Sequence, residues 1–575
     1  MATYYWVGGD GTWDASATAN WSLTSGGLPG IAAPNNTDTV IFDSASGTGT
    51  CTTASGSACA TATLNSSTLG LTLGANHTMS GTFTLTLGTL SLGSNTLSCN
   101  IFLSTNTNTR SIAFGTGKIT IVGSGTTILS MGTLTGFTYT GTPLFELTYS
   151  GAVGTRSMNI GSTGGSEAIA PSVNVTAGTD ILLITNASVF RNFVLTGFAG
   201  TLSNNSRVVY GNLTISSGMT LTAGTSATTF AATSGTQQIT TNGKTLDFPI
   251  TQNSPGATVQ LQDNLTMGST RTFTLTAGTL DLSSGNRTLS AGFFTSSVTN
   301  VRSVAFGTGN ITLTGNAATI YSITNGLNLT FTGTPVVNCT YAGSTGTRTI
   351  TTSLNVGTFT SLPTFNISAG SDIVLFTNNS GTGCLSLDFT GFTGTCSSLP
   401  RSFVNNLTLV SGMTLTNTGT IAFVGTSGTQ QVTSAGLTLD CQISFTGIGG
   451  TVAFQDALTQ GSTRAFIITN GTIQLKNGVT STVGSFSTSG TNQKFLQSTT
   501  PGSQATLSQA SGTVNASYLT IRDINAVGGA IWNAYVNQFN SDAGNVDGWD
   551  FGISPVVGGA EYTYSMRSFT QPRRF

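Results

Sequence analysis

"TFTLTAGTLDL", residues Thr272 to Leu282, alternates apolar and hydroxyl side chains on either side of a glycine. Successive side chains of a strand point to opposite faces, so Phe273, Leu275 and Ala277 fall on one side and the threonines on the other. A Gly-Thr corner follows at Gly278, and Leu280 and Leu282 resume the pattern. "NLTLVSGMTLT" from Asn406 repeats the scheme with Leu407, Leu409, Met413 and Leu415. Strands of four or five residues broken by Gly, Asn or Ser corners are too short for flat sandwich sheets. They suit an all-β, parallel β-helix-like solenoid, in which each coil lays short strands on those of the coil before. Tandem β-sandwich domains are the alternative, since 95-residue halves also fit the duplication described next.

The pattern is written twice. "RSIAFGTG" at Arg110 returns as "RSVAFGTG" at Arg302, and 302 − 110 = 192. "NVTAGTDILLITNAS" from Asn174 returns from Asn366, "SGTQQIT" from Ser234 returns as "SGTQQVT" from Ser427, and "TFTLTLGTLSL" at Thr82 precedes its counterpart at Thr272. Two copies, about 82–271 and 272–465, are followed by the start of a third. Coils of about 20–25 residues give eight or nine per copy. The expected organisation is a Trp-rich capping or attachment module over 1–50, a first copy with lead-in coils over 51–271 and a second over 272–465. Closing coils and a C-terminal cap over 466–551 and a docking tail over 552–575 complete it.

Only 6% of the 575 residues are charged and 74 are Gly, against about 25% charged in an ordinary soluble protein. Disorder is disfavoured, because 38% of residues are hydrophobic, 32 are Phe and the apolar ones alternate with Thr. A membrane β-barrel wants aromatic girdles spread over its strands, but Trp6, Trp13, Trp21, Trp532 and Trp549 all sit near the termini. They read as caps that seal end coils, whose unpaired edges otherwise invite aggregation. A net charge of −1 supplies no basic field for nucleic acid, and no apolar run is long enough to cross a bilayer. The opening "MATYYWVGGDGTWD" lacks the charged and apolar regions of a Sec-type signal peptide.

Candidates for chemistry are few. Glu146 and Glu167 are the only glutamates in the body, and a carboxylate pair could cut sugars, but the second copy aligns Asn338 and Phe359 with them. The charges that both copies share are Arg110/Arg302, Arg156/Arg348, Arg271/Arg464, Asp180/Asp372 and Asp263/Asp456. In so uncharged a chain they suggest ion pairs or Arg hydrogen bonds to loop carbonyls, with duplicated glycan or cation sites as the alternative. Seven cysteines without paired spacing read as small buried residues, with a local bridge at Cys51–Cys59 or Cys384–Cys396 open. The single His, His77 in "LGANHTMSG", reads as a turn residue. "GKT" at Gly243 lacks the first P-loop glycine, and "NVDGWD" fails at both ends of a calcium loop. Asp10/Asp14 and Asp542/Asp547/Asp550 read as turn caps that could hold a casual Ca²⁺. Neither a metal nor a cofactor is expected.

The two ends carry a resemblance. "YYWVGGDGTWDASATANWS" with "APNNTDTVIFD" (Tyr4 to Asp43) resembles an N-terminal module of phage virion proteins. Related W-G-x-W…NW…P…D-x-V-x-F openings occur in autotransporter-like bacterial surface proteins. "SGTVNASYLTIRDINAVGGAIWNAYVNQFNSDAGNVDGWDF" (Ser511 to Phe551) is similar to closing coils of β-helical phage and surface proteins. The resemblance implies a non-enzymatic virion protein, a rod-like fibre, spike or decoration subunit that is extracellular when mature. Its implied partners are other virion proteins and further copies of itself, as in a trimer. A glycan-binding adhesin or a secreted surface or filament protein is the alternative, and a polysaccharide-degrading spike a third. The tail holds Tyr562, Tyr564, Arg567, Phe569, Arg573 and Arg574, residue types that anchor interfaces, and is expected to dock on a partner subunit.

Overall fold

The computed structural model describes residues 1–554 except 17, 153, 317–318, 353–361 and 378–382. Stacked parallel strands build a β-solenoid of about 22 turns. The sandwich alternative is thereby excluded, since sandwich sheets are antiparallel and the ladders here run parallel, as in Thr272↔Phe293 and Gly278↔Arg302. The chain divides into two compact units, Met1–Ser402 with Gly412–Thr416 and Phe403–Ser411 with Asn417–Phe575. The division falls inside the second sequence copy.

The strand Thr272–Asp281 shows why these residues coil. Phe273, Leu275, Ala277, Leu280 and Leu282 are buried. Between them Gly278 has φ +85°, and a Cβ there would lie 2.1 Å from the Ser254 carbonyl oxygen and 2.6 Å from that of Ala257. Only glycine turns this corner against the preceding coil. Its counterpart Gly88 has φ +102° and the same clash with Ser66. Inside, like stacks on like: Phe273, Phe294 and Tyr321 form one column in the first unit. Phe403, Phe423, Phe445, Phe466 and Phe486 form another in the second. Turn length varies more than the 20–25 residues expected. Ile181 pairs with Thr201, whereas Thr127 pairs with Ser157, thirty residues on.

The duplication is not a whole number of turns. In the first unit, paired rungs lead from Leu97 through Ile119, Phe145, Val173, Phe193, Leu213 and Ile239 to Leu261. The eighth rung joins Gln260 to Asp281. Leu289, the sequence counterpart of Leu97, is on the next strand along, Thr288–Ala291, which pairs with Leu265–Met267 instead. The first copy thus spans eight turns and one further face. Counterparts share their inward neighbours but look out in different directions.

The first turn is sealed by tryptophan. Trp6, Trp13 and Trp21 are all buried, with Trp21 set edge-on to Trp6 at 5.1 Å and to Trp13 at 5.2 Å. Trp21–Ser22 runs antiparallel to the first strand, Thr3–Trp6, and covers its edge. At the end of the second unit Trp532 and Trp549 pack at 4.9 Å, both against Phe486.

His77 is not the turn residue its sequence suggests. It begins the short strand His77–Thr78, is 2% exposed, and packs on Trp13 at 4.9 Å. Its ring nitrogens contact Ser57 Oγ at 2.9 Å and Cys59 Sγ at 3.6 Å. The register with Leu97 draws it inward, because a strand position facing the core is filled whatever the residue. Burial pushes its pKa from 6.5 down to about 4. The unfolded chain therefore binds the proton first. This share of stability is complete above pH 6.5, falls between pH 6.5 and 4, and amounts to about 3 kcal/mol. An acid titration of wild type and His77→Gln, followed by thermal melting, should show the variant losing less over that window; parallel curves would contradict it.

Candidate functional site

The charges shared by both copies are fastenings between neighbouring turns. Arg156 Nε and Nη2 donate to both oxygens of Asp180, at 2.6 and 2.8 Å, and Arg348 does the same to Asp372 at 2.8 and 2.7 Å. All four side chains are essentially fully buried. Each guanidinium also lies against two rings, Tyr149 and Phe198 in one copy and Tyr341 and Phe392 in the other.

Arg110 and Arg302 are buried without a carboxylate partner. Nε of each donates at 2.6 Å to a serine hydroxyl, Ser104 or Ser296. The remaining donors reach the carbonyls of Ser104, Asn108, Thr133 and Thr135 in one copy and Ser296, Asn300, Asn325 and Leu327 in the other. Arg271 and Arg464 pair with Asp247 and Asp440 at the surface. Asp263 and Asp456 instead accept backbone N–H groups at corners, from Thr241 and from Ser434 and Ala435.

Asp247 and Asp440 are one more charge that both copies share, each after Thr-Leu and 440 − 247 = 193 positions apart, which the sequence reading passed over. What pairs them with their arginines is the length of a turn. Asp247–Arg271 and Asp440–Arg464 are 24 residues apart, as are Arg156–Asp180 and Arg348–Asp372.

The two candidate carboxylates have partners too. Glu146 Oε2 accepts from Lys118 Nζ at 2.6 Å. In the second copy Lys118 and Glu146 become Asn310 and Asn338, and Asn338 Nδ2 donates to Asn310 Oδ1 at 3.3 Å. One copy's ion pair is the other's amide pair, which marks Glu146 as a cross-turn contact. Glu167 starts the 3₁₀ turn Glu167–Ile169, accepts from Thr233 N and Oγ1 at 3.0 and 2.8 Å, and lies 3.7 Å from Arg191. Because the Lys118–Glu146 pair is partly exposed, Glu146→Gln is expected to cost only about 0.5 kcal/mol, read as a thermal shift. A loss of several kcal/mol would show that the pair carries more than a cross-turn contact.

A groove of about 670 Å³ opens on the outer face of the first unit, beside Glu167–Ile169. Ser172, Asn174, Asn192 and Asn212 line it together with Tyr139, Pro143 and Arg191, and neither Glu146 nor Glu167 does. Its amides are linked from turn to turn: Asn192 Nδ2 donates to Ser172 Oγ at 3.1 Å, and Asn192 Oδ1 accepts from Asn212 N at 2.8 Å. The chain of contacts continues with Gln238 N donating to Asn212 Oδ1 at 2.9 Å. The second copy keeps the last of these links, Gln431 N to Asn406 Oδ1 at 2.8 Å, but has Ser386 and Leu385 where Asn192 and Arg191 stand.

All seven cysteines are free and buried, so neither local bridge forms. Burial pushes the Cys59, Cys99, Cys339, Cys396 and Cys441 thiols up to about 12 and those of Cys51 and Cys384 higher still. Among the described residues no three His, Cys, Asp or Glu side chains group as metal ligands. Asp14, Asp542 and Asp550 accept backbone N–H groups two residues on, Asp10 accepts from Thr50 N, and Asp547 accepts from Gln504. The terminal tryptophans lie in the caps described above. Tyr562, Tyr564, Arg567, Phe569, Arg573 and Arg574, with the rest of the tail beyond residue 554, lie outside the described residues. No family model, curated protein or solved structure matches the chain.

Proposed function

We propose that the chain is a non-enzymatic structural protein of a virion, a fibre, spike or decoration subunit that assembles through its terminal segments. One observation carries this reading: the buried charges that the two copies hold in common are spent on joining one turn to the next. A duplication that preserves fastenings while the outer face diverges adds length and stiffness, and it does not add a second copy of a catalytic surface. The likeness of the two ends to modules of phage virion proteins is what supports a virion setting, outside the cell once mature, with other virion proteins and copies of itself as neighbours. Immunogold labelling of particles released by the producing cell, with quantitative mass spectrometry, tests it. Label on the particles at a fixed copy number supports the proposal. Recovery of the chain only from cells or their surface overturns it.

The groove beside Glu167–Ile169 favours a second reading, a glycan-binding surface. Linked amides and hydroxyls beside Tyr139 offer the donors and acceptors that an uncharged sugar chain uses. That site belongs to the first copy, since Asn192 and Arg191 are replaced in the second. Glycan-array binding that is lost in Asn192→Ala supports the adhesin, and an array without signal removes it.

A further inference from the structure

The last turns of the second unit hold two bulky residues in the left-handed backbone region, Tyr518 at φ +51° and Phe539 at φ +60°. Large side chains rarely adopt this conformation, and where they do the surroundings must impose it. Here it places the two rings in one column. They stack at 4.6 Å with planes 15° apart, and the ammonium of the buried Lys494 lies 5.4 Å from the Tyr518 ring centre on the preceding turn. The column ends on Phe539, which is 63% exposed. Val536 and Ile553 are exposed beside it, brought together by Val536 N donating to the Gly552 carbonyl at 3.1 Å. An aromatic column that stops in water, on a strained residue, leaves an apolar face without a neighbour.

We propose that the open face of Phe539 is the docking surface for this chain's own C-terminal segment, residues 555–575, which supplies the next aromatic ring of the column. The segment carries Tyr562, Tyr564, Phe569 and Phe575, each able to stack offset on the exposed ring. It also carries Arg567, Arg573 and Arg574 against a single Glu561. The last turn opposes these with exposed Asp542, Asp547 and Asp550, none of which has a cation partner among the described residues. The chain leaves the fold at the patch itself, where Ser554 N donates to Asn537 Oδ1 at 3.0 Å. Eight residues from there to Tyr562 reach up to roughly 26 Å. A tether this short holds the segment at about millimolar effective concentration, which favours it over the tail of a second copy. The proposal does not rest on the virion reading, but it assigns the tail to this chain's own last turn in place of a partner subunit.

The test keeps the chain at full length. Phe539→Gly removes the ring while suiting the left-handed backbone. Trypsin cleavage after Arg567, Arg573 and Arg574 should then be about 2- to 10-fold faster than in wild type, the loss expected for one stacked ring. A second variant, with Tyr562, Tyr564, Phe569 and Phe575 all changed to Ser, leaves the folded units untouched. It should speed hydrogen exchange at residues 516–520 and 536–554. Both protections should survive hundredfold dilution. Equal trypsin rates in wild type and Phe539→Gly overturn the proposal. So does protection that disappears on dilution together with an oligomer in sedimentation, because a second copy is then the occupant.

Discussion

Arg348→Ala is expected to cost about 3–5 kcal/mol, because it strands a buried carboxylate without its partner. The Asp372 side chain is 0% exposed and both its oxygens accept from that one guanidinium. The variant leaves the Asp372 carboxylate buried among the Tyr341 and Phe392 side chains without its partner, which weakens the turn that holds it. Urea unfolding followed by hydrogen exchange in Thr347–Thr351 and Ile373–Phe376 would show the loss, and a change under 1 kcal/mol would contradict the account. The duplication supplies a control. Arg156→Ala should cost the same within about 1 kcal/mol, since the pairing and flanking rings repeat. Changing both partners together, Arg348→Met with Asp372→Leu, should recover most of the loss, because no charge is then left alone.

Trp13→Ala is the second large expectation, at about 3–5 kcal/mol for a buried aromatic truncated to a methyl. Trp13 is 1% exposed and touches Trp21, Phe42 and His77. Its loss therefore does more than leave a cavity. It admits water to the imidazole, so the His77 pKa should rise from about 4 toward 6.5, followed by the ring-proton shift in NMR. It also loosens the antiparallel Trp21–Ser22 cover on the first edge, and exposed edges pair with other chains. Concentration-dependent aggregation of Trp13→Ala should accompany its lower melting temperature. A variant that melts as wild type does would show that the cap is held by other contacts.

The strands were legible because their period is local. Phe273, Leu275 and Ala277 alternate with threonine, and Gly278 announces its corner, without any knowledge of the rest of the chain. The fastenings were half legible. Arg156 and Asp180 could be recognised as shared by both copies, but pairing them requires the length of a turn, which the residues between do not state. Asp247 and Asp440 were legible on the same footing, as "TLD" in both copies, and were overlooked. His77 was misread because "ANHT" has the composition of a turn, and only the register with Leu97 carries the imidazole inward. The groove beside Glu167–Ile169 had no signature, since its lining comes from five turns and scatters Tyr139, Pro143 and Arg191 among common Asn, Ser, Thr and Gly. The stacked Tyr518 and Phe539 were equally invisible: two aromatics 21 residues apart mean nothing until both adopt the left-handed conformation.

The eight turns and one face of the first copy make the first unit a screw, in which the part of the second copy that it holds is carried along the axis and rotated by one face of the coil. A flat receptor or a neighbouring subunit lying along one side therefore meets the first copy and the second through surfaces that are not counterparts. Selection on that side acts on each copy separately, whereas the interior sees identical neighbours at every rotation. Lys118 with Glu146 could thus drift to Asn310 with Asn338 while Arg156 with Asp180 stayed as Arg348 with Asp372. Any further copy added by the same register would turn the pattern again.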